Sequence, residues 1–172
     1  APSPIAVESA NRPETGGGSL LDLGCYPLMF ARYLFGREPI RAAARMEKNP
    51  YSGVDTLTSA LLDFGNGEAA IHCSTKTAAF QQVLVLGHRG RIEIPSPIVV
   101  PAGLTVNITI DDGAARSETF GPCDHYQLQV EAFADAILGG REWPFPLEDA
   151  LANMAALDAV VPAAASGRWE MF

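Results

Sequence analysis

The chain has 172 residues, with 12 Lys and Arg against 20 Asp and Glu, a formal net charge of −8. Hydrophobic residues make up 48% and charged residues 19%, a globular composition in a chain long enough for one domain with its own core. The acidic balance excludes a duplex DNA or RNA binder, which needs a basic surplus, and no apolar run approaches the ~20 residues of a membrane span.

The start, Ala1-Pro2-Ser3-Pro4, has neither a basic segment nor a long apolar run, so no secretory leader is expected. Cys25, Cys73 and Cys123 are odd in number and far apart, and His72, His88 and His125 are scattered. Neither a metal site nor a disulfide framework is expected, and this cysteine usage points to a reducing, cytoplasmic setting.

In chain order, Gly16-Gly17-Gly18 opens a helical segment whose Leu20, Leu21, Gly24, Leu28, Ala31, Leu34 and Phe35 share a broad face, with Gly36 as a stop. Pro27 should kink this helix or divide it into two pieces. From about residue 40 the period changes to two, and 40–48, 55–64, 67–76, 81–87, 91–94 and 104–111 read as strands. Leu57, Ser59, Leu61 and Asp63 alternate with Thr58, Ala60, Leu62 and Phe64, so that strand should be buried mainly on one side. Gly65-Asn66-Gly67 reads as a tight hairpin with Asn-Gly chemistry, and 87–90 and 111–113 as further turns. Pro95, Pro97 and Pro101 make 95–103 a loop or sheet edge.

The end returns to helix. Asp124 can cap a helix with Gln127 in capping-box spacing, and Tyr126, Val130, Phe133, Ala134, Ile137 and Leu138 form its apolar face up to Gly139-Gly140. A second helix follows Pro146, carries Glu148 and Asp149 in its first turn, and should be interrupted by Pro162 before Gly167. The order predicts a single α+β domain over 1–172: an open, mainly antiparallel sheet with helices packed on one face. The free face, where apolar, would suit a homo-oligomer.

Asp22 and Tyr26 stand four apart, so a helix projects them from one face, and a carboxylate beside a phenol is an acid/base pair. The glycines before them permit close backbone approach, and a helix start offers free N–H groups. Local capping by Asp22 with Tyr26 in the core is the competing reading, and the residues alone leave both open.

The run Gly16-Gly17-Gly18-Ser19-Leu20-Leu21-Asp22-Leu23-Gly24-Cys25-Tyr26, followed by Ala31-Arg32-Tyr33-Leu34-Phe35-Gly36-Arg37-Glu38-Pro39, resembles the Gfo/Idh/MocA oxidoreductases. That family includes glucose–fructose oxidoreductase, inositol dehydrogenase and dihydrodiol dehydrogenase. The resemblance continues through Gly53-Val54-Asp55-Thr56, Asp63-Phe64-Gly65-Asn66-Gly67, residues 87–95, residues 126–133 and Pro146-Leu147-Glu148-Asp149-Ala150.

It implies the C-terminal half of such an enzyme. The family's G-x-G-x-x-G dinucleotide-binding domain is not in these residues, since Leu21 stands where a third glycine is needed. Glu47-Lys48-Asn49-Pro50 only superficially matches the family's Glu-Lys-Pro, so Lys48 is expected to be a solvated strand-end charge. NAD or NADP is thereby assigned to the other half, with none expected on this chain. A small-molecule substrate, a sugar, polyol or related alcohol, is assigned to the cleft between halves. The resemblance makes Tyr26 the proton donor or acceptor and Asp22 the residue that positions the substrate hydroxyl. Tyr at 26 is closer to the glucose–fructose oxidoreductase and dihydrodiol dehydrogenase branch than to inositol dehydrogenase.

Other residues divide between roles. Asp55 is a site residue or a turn cap; His88 and Arg89 are expected exposed, Tyr126 in the core, and Cys25 unreactive. A non-catalytic dimerisation or small-molecule-sensing module is the alternative to the enzyme.

Overall fold

The computed structural model describes residues 11–101, 103–140, 143 and 145–172. After a 3₁₀ turn at Pro13–Thr15 and a π-helical turn at Leu20–Gly24, the elements are α1 Cys25–Phe35, β1 Arg41–Lys48, β2 Asp55–Asp63, β3 Glu68–Ser74, β4 Gln82–Gly87, β5 Gly90–Pro95, β6 Val106–Asp111, β7 Ala115–Phe120, α2 His125–Gly139, α3 Leu147–Ser166 and β8 Glu170–Met171. They form two compact units, one from the chain up to Thr77 with Phe145–Phe172, the other from Ala78–Pro144.

The first unit is built on the antiparallel sheet β3-β2-β1-β8. Thr58, Ala60 and Leu62 of β2 and Phe64 just beyond it are buried, and the alternate positions are half-buried, as the period of two requires. Leu20, Leu28 and Ala31 from the first helical segment and Ala156, Leu157, Val160 and Ala163 from α3 pack with Ala42, Ala60, Leu62, Phe64 and Ile71 in one core. Each fully buried Leu or Phe there contributes about 1.5–3 kcal/mol. Phe64 stacks on Phe35 with centroids 4.3 Å apart. The α+β, antiparallel character and the helix-covered face agree with the sequence pattern.

Just before Pro27 the first helical segment changes from a π turn to a regular α-helix without a break, Gly24 and Cys25 both being helical. The chain makes a π turn to Gly24 and begins a regular α-helix at Cys25, so Pro27 sits in the first turn, where a missing N–H costs little. Gly36, at φ 62°, ends α1 with its N–H on the Arg32 carbonyl at 2.9 Å. Pro162 likewise does not interrupt α3, which runs unbroken to Ser166. It lies on the exposed side, and the carbonyl deprived of its partner, at Asp158, is on an exposed residue that water can serve.

The hairpin between β2 and β3 uses Gly65, not Asn66-Gly67, for its positive φ of 77°, the position a type II′ turn reserves for glycine. Asp63 Oδ1 accepts from the Gly65 N–H at 2.7 Å. Gly67 answers a packing need, because a Cβ there would stand 2.6 Å from Phe35 Cε1.

The second unit is the antiparallel meander β4-β5-β6-β7 with α2. The expected turns join β4 to β5 and β6 to β7, and Pro95 closes β5 beyond the residues that β6 pairs. The loop after it is stapled by Gln81, whose Oε1 accepts from the Ile98 and Val99 N–H groups, both at 3.0 Å. β7 was not read as a strand; every residue in it is exposed. Asp124 caps α2 by accepting from the Tyr126 and Gln127 N–H groups, both at 3.0 Å, while the Gln127 side chain reaches forward to Glu131. α2 has no buried residue, and Tyr126, expected in the core, is 62% exposed.

Candidate functional site

The segment Gly16–Tyr26 is positioned by a buried carboxylate. Asp55, the first residue of β2, is 7% exposed. Its Oδ2 accepts from the Leu20 N–H at 2.8 Å and the Thr58 hydroxyl at 2.7 Å, and it also takes the Ser19 hydroxyl. Ser19 and Thr58 are fully buried, so these donors have no water to turn to. Of the two roles open to Asp55, the structure shows the cap, and one reaching across to a helix start rather than into its own turn.

The same contact explains Gly18, and core packing explains Gly24. Gly18 has φ 118°, and a Cβ on it would collide with Asp55 Oδ1 and stand 3.3 Å from Cγ. Gly24 faces the core, where a Cβ would meet Leu20 Cδ1 at 2.9 Å and Cys73 Sγ at 3.2 Å. The close backbone approach permitted by Gly18 is thus used by the protein's own carboxylate, and the Leu20 N–H it leaves open is already occupied. That is not a cradle for a dinucleotide's phosphates.

Asp22 and Tyr26 lie on the other side of this segment. Leu20, Gly24, Leu28 and Ala31 form the buried row, so positions two residues out of step with it face away from the core. Asp22 is exposed, and Tyr26 is 40% exposed. Tyr33 and Leu34 are exposed on the same helix. Tyr26 is therefore not a core tyrosine, and a carboxylate and a phenol are both presented to whatever meets this surface. Asn153 of α3 donates to the Cys25 carbonyl at 3.3 Å, next to Tyr26.

The far end of α1 carries a network that reasoning from the sequence missed. Arg32 is 6% exposed; its Nε and Nη2 donate to Glu38 at 2.7 and 2.8 Å, and Nη2 also pairs with Asp149 Oδ1 at 2.9 Å. Nη1 reaches the Asp149 carbonyl at 3.3 Å and Asn153 Oδ1 at 3.4 Å. The Arg32 hydrogen bonds hold the Glu38 carboxyl below its ordinary range, as burial of the pair opposes and charge attraction reinforces. The signal was present as Arg32 among the apolar residues of a helix, a cation that needs partners when buried.

Cys25 is half-buried with its thiol pushed up, chiefly by burial, and burial pushes the Cys73 thiol up to about 11. Neither is an activated nucleophile. Lys48, His88 and Arg89 are exposed, as expected. A shallow depression of about 520 Å³ lies on the open face of the first sheet, lined by residues including Ala43, Ser59, Leu61, Ala70 and His72, and not by Asp22 or Tyr26. There Ser59 Oγ and His72 Nδ1 are hydrogen-bonded at 2.8 Å. Among the described residues no helix is long and apolar enough to cross a membrane.

Comparison with known proteins settles the family. The model of the GFO/IDH/MocA C-terminal domain matches residues 3–93. An uncharacterised oxidoreductase of Rhizobium meliloti is 37% identical over 167 residues, covering 93% of this chain and 50% of that protein. The chain belongs to the GFO/IDH/MocA oxidoreductase family. A D-xylose 1-dehydrogenase (NADP(+)) of Haloferax volcanii is 34% identical over 157 residues, 90% of this chain and 48% of its own length. Among solved structures, the aldose-aldose oxidoreductase of Caulobacter crescentus complexed with glycerol superposes with a TM-score of 0.80 at 24% identity, over 95% of this chain and 50% of that one, a likeness of fold. The chain thus spans about half the length of these relatives.

Proposed function

We propose that this chain is the substrate-binding and oligomerisation half of an NAD(P)-dependent oxidoreductase that interconverts an alcohol and a carbonyl on a sugar, polyol or related compound. The observation that carries this is the outward presentation of Asp22 and Tyr26 on a helical segment buried along its opposite side, within a chain half as long as its relatives. NAD or NADP, when bound to the other half, supplies or accepts the hydride. The Gly16–Gly18 run does not fit its phosphates, because Asp55 fills that space, so no residue here is assigned to hold it.

Tyr26 Oη donates a proton to the substrate oxygen in reduction and removes it in oxidation. The Asp22 carboxylate accepts a hydrogen bond from the substrate hydroxyl and orients it beside that phenol. The isolated chain, lacking the hydride source, is inactive. The open face of the first sheet, with Ala43, Leu61 and Ala70 in one row across it, joins two copies, and the assembly works in the cytoplasm. The same missing cradle favours a second reading, a module that dimerises or senses a small molecule without turnover.

The test uses the full polypeptide encoded by the gene, with NAD⁺ and NADP⁺, against D-xylose, D-glucose, myo-inositol and a trans-dihydrodiol. Turnover of at least one, cut by about 10²–10⁴-fold in Tyr26→Phe, is expected. No turnover across the panel overturns the enzyme in favour of the module, and full turnover by Tyr26→Phe overturns the role of Tyr26.

A further inference from the structure

We infer that Asp55 is a positioning residue for the candidate site: its buried carboxylate sets where Asp22 and Tyr26 stand, an inference that rests on the functional reading of those two residues. The carboxylate contributes nothing to the ladder of β2. It points out of the sheet and gathers three donors: the Thr58 hydroxyl on its own strand, and the Ser19 hydroxyl and Leu20 N–H at the helix start. Leu20 precedes Asp22 by two residues and Tyr26 by six. Gly18, in a conformation that other residues rarely adopt, has no Cβ to keep the carboxylate away.

Other ties also hold this stretch. Asp22 N–H bonds to the Gly18 carbonyl at 3.1 Å, inside the same turn, and so moves with it. Asn153 reaches Cys25 from α3 at 3.3 Å. Cys73 Sγ lies 3.9 Å from Ser19 Oγ, too weak a contact to replace an ionised or hydrogen-bonded carboxyl. Without Asp55, the buried Ser19 hydroxyl and Leu20 N–H lose their acceptor, and the junction must rotate to find water. The rotation is delivered to the side chains about half a turn and about one and a half turns on. The core side of the same segment, Leu28 and Ala31 against α3, remains held by apolar packing.

The experiment compares Asp55→Ala, Asp55→Asn and Thr58→Val in the full polypeptide, by amide hydrogen exchange read on peptides covering 19–26, 57–74 and 156–163. Asp55→Ala should exchange at least about tenfold faster in 19–26 alone, and Asp55→Asn, which keeps one acceptor oxygen, should restore most of the protection. If Asp55→Ala does not fold, the two milder variants are read, and each should loosen 19–26 before the other peptides. Unchanged protection of 19–26, or equal loss in all three regions, overturns the inference.

The second readout is steady-state kinetics on whichever compound of the panel is turned over. Asp55→Ala should lower kcat on the order of a hundredfold, as a displaced catalytic group does, with a smaller rise in KM because Asp22 moves as well. A kcat equal to that of the unmodified enzyme overturns it. Failure of the underlying reading looks different: Tyr26→Phe then keeps full turnover while Asp55→Ala still frees 19–26.

Discussion

A side chain on Gly18 and the carboxylate of Asp55 cannot occupy the protein together: any Cβ at position 18 meets Oδ1 and stands 3.3 Å from Cγ. The backbone there, at φ 118°, also excludes other residues. Gly18→Ala should therefore cost about 2–4 kcal/mol, the sum of strain and overpacking. Urea denaturation followed by circular dichroism measures it. Gly53→Ala is the control, since it too has a positive φ, of 78°, but nothing within 4 Å, so its cost is the strain alone.

The Arg32 network predicts a specific acid sensitivity. The folded-state pKa of Glu38 is depressed below its ordinary 4.5, first by the hydrogen bonds from Arg32. The pair's contribution is therefore complete above that ordinary value and is lost as pH falls through the depressed one. Glu38→Gln should be less stable than the unmodified protein at neutral pH, and the gap should close as pH falls below the ordinary carboxylate range. Glu38 is half-exposed, so the gap stays within about 1 kcal/mol. Arg32→Met, which strands Asp149 as well, should cost more, about 2 kcal/mol.

The three thiols should react in a fixed order. Cys123 is exposed, Cys25 is half-buried with a raised pKa, and Cys73 is buried with a pKa of about 11. Alkylation by iodoacetamide at mildly alkaline pH, followed by peptide mass spectrometry, should modify Cys123 first and Cys73 last. Modification of Cys73 at the rate of Cys123 would show that the core around Leu20 and Gly24 opens freely.

Self-association should depend on the open sheet face. Leu61 faces away from the helices, between Ala43 and Ala70 on the neighbouring strands. Leu61→Glu should leave the melting temperature nearly unchanged while shifting the sedimentation coefficient toward that of a monomer. A dimer that survives the substitution would place the contact elsewhere.

Much of the fold was legible because its signals are local. The alternation of Thr58, Ala60, Leu62 and Phe64, the Asp63–Gly67 hairpin, the Gly36 stop and the Asp124 cap each act within a few residues. β7 was not, because Ala115–Phe120 pairs through its backbone and buries no side chain to leave a pattern. The apolar positions of α2 promised a buried face, yet none is buried here, since periodicity shows which side is apolar and not what covers it. Asp55 was ambiguous for a different reason. Its partners Ser19 and Leu20 lie 36 and 35 residues away, and only the folded sheet brings them within reach. That Asp22 and Tyr26 share a face followed from their spacing, but that the face points outward did not, because burial of the opposite row is set by the sheet and α3. The buried Arg32 likewise depended on Asp149 and Asn153 from late in the chain.

The discontinuity of the first unit bears on how the polypeptide emerges from the ribosome. Its sheet strands β1 to β3 are made early, but Leu157, Val160 and Ala163, which complete the core over them, are translated only after the whole of Ala78–Pro144. β8, which follows α3, then pairs with Arg41 and Ala42. At about 5–20 residues per second, the nascent strands wait several seconds with only the first helical segment, Leu20 to Phe35, to pack against Leu62, Phe64 and Ile71. The second unit, whose strands pair only with their sequence neighbours, has no such delay. The first core therefore stays incomplete, with one side of its sheet lacking α3, until the second unit has been made.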